Sequence, residues 1–176
     1  MSIAAVNPLA VAILGFVTLQ RLAELVIARR NTRRLLERGG REVAPGHYPL
    51  IVGVHAAWLT GLWQLAMDGT PNLAWLAVYG GLELARVWVL ITLGDRWTTR
   101  IIVLPGAPLI ETGPYRFVSH PNYWVVAGEI LVLPLVFGLY WYAAAFSLAN
   151  AAVLAVRTRA ENAALKALNE GGFPSD

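Results

Sequence analysis

The residues best suited to chemistry are concentrated in one short segment, residues 113–123. Gly-Pro and His-Pro fix two turns there, and an arginine, a histidine and two tyrosines stand between or beside them. Pro121 occupies a position that favours the first turn of a helix. Free backbone N–H groups at a helix start, next to tyrosine and histidine rings, suit a ligand that carries a carboxylate and an aromatic base. The segment predicts a cofactor or headgroup site, with a purely structural turn as the alternative.

Other chemistries are disfavoured by what the sequence lacks. It contains no cysteine, which excludes a thiolate nucleophile and an iron–sulfur cluster. His47, His55 and His120 are scattered, and none stands in the spacing of a metal site. No Gly-x-Gly-x-x-Gly motif occurs, so the sequence predicts neither a metal site nor a dinucleotide-binding fold.

The elements that must position this segment are strongly apolar. The chain has 176 residues, of which 57% are hydrophobic and 14% charged, whereas soluble domains have about 45–50% and about 25%. A soluble domain of this size could not bury so much apolar surface. Its 14 basic residues flank apolar runs instead of covering one surface, which argues against a nucleic-acid partner. We expect an integral membrane protein with one domain over residues 1–176.

The apolar runs predict an all-α membrane bundle of about five transmembrane helices. Residues 117–156 must fold back on themselves, since one helix of that length would extend about 60 Å, twice the hydrocarbon thickness. We expect N-terminal helices within 1–93 and a catalytic portion over 94–170. The predicted segments are spans at about 8–28, 43–67 and 73–93, a basic connector at 29–42, an interfacial segment at 94–120, and a helical hairpin with its tip at 137–140.

The basic residues also predict the orientation in the membrane. With the N-terminus outside, the inner segments 29–42, 94–120 and 157–176 hold six, three and three basic residues, and the outer segments hold none. The Arg-rich, Lys-poor composition favours a bacterial source. We therefore expect the bacterial inner membrane, with a cytoplasmic C-terminus.

Ionisable residues inside the predicted spans are functional candidates, because burying them in lipid is costly. Arg21 and Glu24, like Glu83 and Arg86, are three residues apart and can form pairs within one helix. The alternative for both pairs is a polar interior that faces the active site. Glu129 has no basic residue within a helical turn. Two alternatives remain for it: a hydrogen bond from an arginine on another helix, or a place in a cavity with a raised pKa.

The pattern Gly-Pro-Tyr-Arg-x-x-x-His-Pro-x-Tyr at 113–123, followed by an apolar hairpin and Arg-x-x-x-Glu at 157–161, resembles the isoprenylcysteine carboxyl methyltransferase family. These are membrane enzymes that use S-adenosylmethionine, and the resemblance covers about residues 94–165. The segments 20–24, 46–50 and 97–100 look more like a bacterial branch that O-methylates alkylpyrones made by type III polyketide synthases.

The resemblance implies a set of site residues. Arg157 would face the methyl acceptor, and Glu129 or His120 would act as base for a hydroxyl acceptor. Ser119 stands where the family usually has an arginine, a role that Arg116 would have to fill, and Asn162 stands where an acid is common. The cofactor contacts would fall on Arg100, Pro108, Leu109, Ile110, Tyr115, His120, Pro121, Asn122, Tyr123 and Glu161.

The resemblance implies an O-methyltransferase that acts on a lipophilic small molecule or a prenylated substrate at the cytoplasmic face, in contact with membrane lipids. The acceptor oxygen would belong to a carboxylate or to a hydroxyl. An NADPH-dependent membrane reductase and a non-enzymatic membrane scaffold are the alternatives.

Overall fold

The computed structural model describes residues 6–169 and is helical apart from one minimal strand pair, which confirms the predicted all-α class. Short 3-10 turns occupy Pro45–His47, Gly94–Arg96 and Gly113–Arg116. The outermost parts of the predicted domain, residues 1–5 and 170–176, lie outside the described residues. The elements in chain order are α1 (Pro8–Glu37), β1 (Arg41–Glu42), α2 (Tyr48–Leu65), α3 (Leu73–Leu93), β2 (Ile102–Val103), α4 (Pro121–Val136) and α5 (Tyr140–Asn169).

The first predicted span and most of the predicted connector form one continuous helix, α1. The Asn7 side chain caps its start by accepting a hydrogen bond from the backbone N–H of Leu9 at 3.0 Å. The arginines that follow are good helix formers, so the helix continues until Gly39, whose φ of 87° belongs to the left-handed region that ends helices. The connector is therefore a continuation of the span followed by β1.

The third span and the hairpin lie where the sequence predicts them. Asn72 caps α3 by accepting from the backbone N–H of Ala74 at 3.0 Å. Gly94 ends α3 with a φ of 51°, and Gly138, with a φ of 72°, lies in the turn between α4 and α5. Both glycines adopt a backbone conformation that other residues disfavour.

The loops and helix ends lie at two opposite ends of the bundle. The backbone N–H of Asn7 donates to the carbonyl of Met67 at 2.8 Å, and that of Asn72 donates to the carbonyl of Val136 at 2.7 Å. The start of α1, the α2–α3 loop and the α4–α5 turn therefore meet at one end of the bundle. The segment 94–120 lies at the other end, where Asn31 of α1 donates to the carbonyls of Gly94 and Trp97.

Among the described residues, two helices, Pro8–Glu37 and the run Leu73–Arg96, are long and apolar enough to cross a membrane. Only 28% and 17% of their apolar windows are buried inside the protein, so neither resembles the buried core helix of a soluble domain. Leu19, Leu84 and Ile91 are each more than two thirds exposed. Such an apolar exterior suits a lipid environment.

The strand pair is short but joins distant parts of the chain. Arg41 pairs with Val103 and Glu42 with Ile102 in antiparallel register. The pairing ties the end of α1 to the segment between α3 and α4. It was not predicted, because two residues are too few for a periodic pattern.

Candidate active site

Two cavities meet at the end of the bundle that carries the segment 94–120. The first, here called the interfacial cavity, has a volume of about 550 Å³ and lies between that segment and the facing ends of α4 and α5. The second, the apolar cavity, has a volume of about 300 Å³ and extends among the helices. Both volumes suit a small molecule. The residues that line both cavities are Trp97, Thr98, Asn122, Tyr123 and Arg157.

The predicted cofactor residues gather in the interfacial cavity. Pro121 lies outside its lining and is buried as the first residue of α4. Arg157 lines both cavities, whereas Glu129 lines neither. The predicted residues that line the interfacial cavity are Arg100, Pro108, Leu109, Ile110, Tyr115, His120, Asn122, Tyr123 and Glu161.

Tyr123, Arg157 and Glu161 form one hydrogen-bonded chain across α4 and α5. The Nε–H of Arg157 donates to the Tyr123 hydroxyl at 2.7 Å, and that hydroxyl donates to the Glu161 carboxylate. Arg157 and Glu161 are one helical turn apart, so a single tyrosine can bridge them. The same arginine donates from Nη1 to the carbonyl of Thr99 at 2.5 Å. Its position is therefore fixed from two sides.

His120 completes this interfacial cluster of His120, Tyr123, Arg157 and Glu161. Its ring stacks on Tyr123 with centroids 5.2 Å apart and an interplanar angle of 14°. Its Nε2 lies 3.2 Å from Oδ1 of Asn162. An amide oxygen only accepts, so Nε2 carries the proton in this contact. Asn162, noted above as a departure from the family pattern, thus orients the imidazole.

The wall formed by the segment 96–111 is held by two arginines. Arg96 donates to the carbonyl of Pro108 at 2.5 Å. Nη1 of Arg100 lies 2.7 Å and 2.9 Å from the two carboxylate oxygens of Glu42, and its guanidinium lies 4.4 Å from the centre of the Tyr48 ring. Arg100 therefore lines the cavity and is also paired with Glu42 of β1.

The turn before α4 depends on Gly113. Its φ is 57°, and a Cβ added there would lie 2.4 Å from Oγ1 of Thr92. Tyr115, in the same turn, lines the interfacial cavity. Burial raises the pKa of its phenol, and the Glu161 carboxylate adds to the shift. Arg116 instead lies 5.0 Å from the Phe117 ring centre and outside the cavity lining, so it does not replace an arginine at Ser119.

Two polar atoms in the wall shared by the cavities are buried without a partner among the described residues. They are the indole Nε1–H of Trp97, a donor, and Oδ1 of Asn122, an acceptor. A buried polar atom without a partner is costly, so a bound molecule that supplies both bonds is favoured. Trp97, Thr98, Arg96 and Asn31 were not predicted as site residues. Trp97 and Thr98 begin the stretch 97–100 that carries the bacterial-branch resemblance.

Deeper in the bundle, Glu129 joins three helices through a buried group that we call the deep cluster: Arg21, Glu24, Arg86 and Glu129. Nη2 of Arg21 donates to Glu129 at 2.6 Å, and Arg86 donates to both oxygens of Glu129. The carboxylate is fully buried. The structure thus selects the first alternative for Glu129, a hydrogen bond from an arginine on another helix.

The intrahelical pairs are confirmed in one case only. Arg21 pairs with Glu24 at 2.8 Å on α1. Arg86, however, pairs with Glu24 and Glu129 on other helices, and Glu83 accepts from Nε2 of Gln20 at 2.5 Å. The expected Glu83–Arg86 pair is wrong, because Glu129 offers Arg86 a two-oxygen contact that a residue three positions away on the same helix does not.

Together the fold and the site define a membrane-embedded helical bundle with a cavity of mixed polarity beside an apolar one. A family model described as the isoprenylcysteine carboxyl methyltransferase (ICMT) family matches residues 75–167. Uncharacterized protein YpbQ of Bacillus subtilis (strain 168) is 38% identical over 159 residues, which cover 88% of this chain and 95% of that protein. No solved structure matches the chain significantly.

The chain therefore belongs to the isoprenylcysteine carboxyl methyltransferase family. This membership and the two long apolar helices identify it as a membrane methyltransferase.

Proposed function

We propose that the protein transfers a methyl group from S-adenosylmethionine to an oxygen of a lipophilic acceptor at the cytoplasmic face of the bacterial inner membrane. One observation carries the proposal: a cavity of mixed polarity and an apolar cavity share a wall that contains Arg157 and Tyr123. A water-soluble cofactor and a lipid acceptor must meet at a boundary of this kind.

The residues of the interfacial cavity fit the cofactor. S-adenosylmethionine combines a carboxylate, an amine, ribose hydroxyls and an aromatic base with a sulfonium that supplies an electrophilic methyl. The Glu161 carboxylate suits the amine or the ribose hydroxyls, and the rings of Tyr115 and His120 suit the base. The unpartnered atoms of Trp97 and Asn122 offer one further donor and one further acceptor.

The start of α4 adds a site for the carboxylate. No side chain caps this helix, but Pro121 has no N–H and the N–H of Tyr123 donates to the His120 carbonyl at 3.1 Å, so in the first turn the N–H of Asn122 is available. An N–H group at a helix start favours an anion. His120 and Asn122, which flank Pro121, line the cavity beside it.

Arg157 positions the acceptor in this proposal. Its Nε and Nη1 hold Tyr123 and Thr99, while Nη2 makes none of the described hydrogen bonds. A guanidinium fixed in this way can present Nη2 to an anionic oxygen and aim it toward the interfacial cavity. Holding the two reacting groups in line supplies much of the catalysis. The walls of the apolar cavity keep water away from the reacting oxygen.

Glu129 has a positioning role in this scheme. Because both its oxygens are bound by arginines and it lines neither cavity, it is poorly placed to take a proton from an acceptor. An acceptor that arrives ionised needs no base. A carboxylate or an acidic hydroxyl, such as that of a hydroxypyrone, meets this condition.

Titration of the protein, purified in detergent, with S-adenosylmethionine and with NADPH tests the proposal. We expect saturable binding of S-adenosylmethionine alone, and its loss in Glu161→Ala. The matched control is Glu37→Ala, which removes an exposed carboxylate of α1 that lines neither cavity, and this variant should retain binding. Binding of NADPH alone would move the assignment to the reductase alternative. Binding of neither ligand to folded protein would favour the scaffold alternative.

A further inference from the structure

The apolar cavity has a second polar zone at its deep end. Arg21, Glu24 and Arg86 of the deep cluster line it, and His55 of α2 joins them. Intramembrane ionisable groups are costly and generally serve a function. A cluster that only joined helices would be expected to close on itself, whereas these side chains border an open volume.

The deep zone lies well apart from the shared wall. Tyr123 and Glu129 are six residues apart on α4, which corresponds to about 9 Å along the helix axis. Arg21 lies at the deeper level, because its Nη2 contacts Glu129 at 2.6 Å. A molecule in the apolar cavity can therefore touch Arg157 at one end and Arg21 at the other.

His55 presents an unused acceptor to this zone. Its Nδ1 lies 2.9 Å from the backbone carbonyl of Ile51. A carbonyl oxygen only accepts, so Nδ1 carries the proton and Nε2 of a neutral ring is left with a lone pair. That nitrogen makes no hydrogen bond among the described residues.

Arg21 lines this zone as part of a charge-balanced group. Its two terminal nitrogens pair with Glu24 and Glu129, and its Nε is enclosed, with no accessible surface that a bound molecule could reach. The deep cluster holds two arginines and two glutamates in mutual contact, so its charges balance. The zone suits a neutral group that donates a hydrogen bond to His55, rather than a second anion.

We propose that the apolar cavity selects acceptors that carry a neutral hydroxyl group about 9 Å from the oxygen that is methylated. The rise of α4 over six residues sets this spacing. The hydroxyl donates its proton to His55 Nε2, at the level of Arg21 and the deep cluster. This inference rests on the proposed function and adds the substrate class to it. The rest of the acceptor can leave toward lipid, since Leu22 and Val52 both line the cavity and are 54% and 41% exposed.

Binding of two fatty acids to the full chain, purified in detergent and saturated with S-adenosylmethionine, tests the inference. One probe is an unsubstituted long-chain acid, and the other carries a hydroxyl about 9 Å along its chain from the carboxylate. We expect the hydroxylated acid to bind about tenfold more tightly, the effect of one well-placed hydrogen bond.

Two variants separate recognition from general damage to the cavity. His55→Leu removes the acceptor of the hydroxyl proton and should abolish the preference, so that the two acids bind with similar affinities. Ile51→Ala, one turn away on α2 and lining the same cavity, should weaken both acids alike and keep the tenfold preference.

Equal affinities in the unaltered protein, a preference that survives in His55→Leu, or no binding of the hydroxylated acid would each overturn the inference. Binding of S-adenosylmethionine, measured in the same samples, reports on the proposed function separately. If S-adenosylmethionine binds but the two acids bind equally, only the inference about the deep zone is overturned. If S-adenosylmethionine does not bind, the proposed function is overturned as well.

Discussion

The interfacial cluster and the deep cluster use the same residue types with opposite results. In the deep cluster, two arginines and two glutamates pair directly, and Glu129 is fully buried. In the interfacial cluster, Tyr123 stands between Arg157 and Glu161, and Nη2 of Arg157 makes none of the described hydrogen bonds. Direct pairing of opposite charges neutralises them inside the fold, whereas a neutral bridge between them leaves charge available for binding.

The largest effect should come from breaking the deep cluster. Glu129→Gln leaves Arg21 and Arg86 without their shared carboxylate, and an uncompensated buried charge costs about 3–5 kcal/mol. We expect a loss of that size in the free energy of unfolding, measured by denaturant titration in mixed micelles.

The control for this variant is Glu37→Gln, which removes a carboxylate from an exposed pair with Arg33. Exposed pairs contribute about 0–1 kcal/mol. Similar losses in the two variants would contradict the comparison between a buried and a solvated contact.

Breaking the interfacial cluster should affect turnover more than stability. Arg157→Lys keeps the charge but removes the forked contact to Tyr123 and Thr99. Misplacement of a positioning group by about 1 Å can cost about 100-fold in rate, so we expect kcat/KM to fall by about that factor. Methyl transfer to a lipophilic acid, with thermal unfolding followed in parallel, checks this. A stability loss as large as that of Glu129→Gln would show that the two clusters have the same role.

A smaller effect should follow from altering the turn that carries the interfacial cluster. Gly113→Ala combines a left-handed φ with a close contact to Thr92, at a cost of about 1–3 kcal/mol. Gly106→Ala is the matched control, because its φ is 72° but no atom lies within 4 Å of the added Cβ. Unfolding free energies should separate the two variants. Thr92→Ala should restore part of the loss in Gly113→Ala, and no restoration would contradict the steric explanation.

The smallest effect concerns pH. Because burial raises the pKa of Tyr115, the unfolded chain ionises this phenol from about pH 10 while the folded protein keeps it neutral. Stability from this group is complete below that pH and is lost as the pH rises above it. Tyr115→Phe should therefore show a shallower decline of unfolding temperature in alkaline buffer. Parallel declines in the two proteins would argue against a raised pKa for this partly buried phenol.

The fold could be predicted where the signal is local. The bounds of α3 follow from Asn72 and Gly94, and the α4–α5 hairpin follows from the length of its apolar run. Contacts between distant residues could not be predicted in this way. Glu129 has no basic neighbour in sequence, and its partners lie 108 and 43 residues away. Only the packing of α1, α3 and α4 brings them together.

For the site, too, local features could be predicted and contacts between distant residues could not. Tyr115, Ser119, His120, Asn122 and Tyr123 of the motif line one cavity because a single turn and one helix start carry them. Trp97 and Asn31 escaped prediction, since their roles depend on where α1 crosses the end of α3. The hydrogen-bond acceptor Nε2 of His55 could not be predicted either, because an isolated histidine in an apolar helix is usually structural.

The apolar cavity is walled on one side by α1 and α2 and on the other by α4 and α5. The family model covers only the second side, from residue 75 onward. Under the proposed function, substitutions in the two N-terminal helices would reshape the acceptor side of the site while the catalytic half keeps its sequence. A lineage that duplicates this chain would then have a simple evolutionary route to a new substrate: substitution within residues 8–65, with the transfer chemistry unchanged.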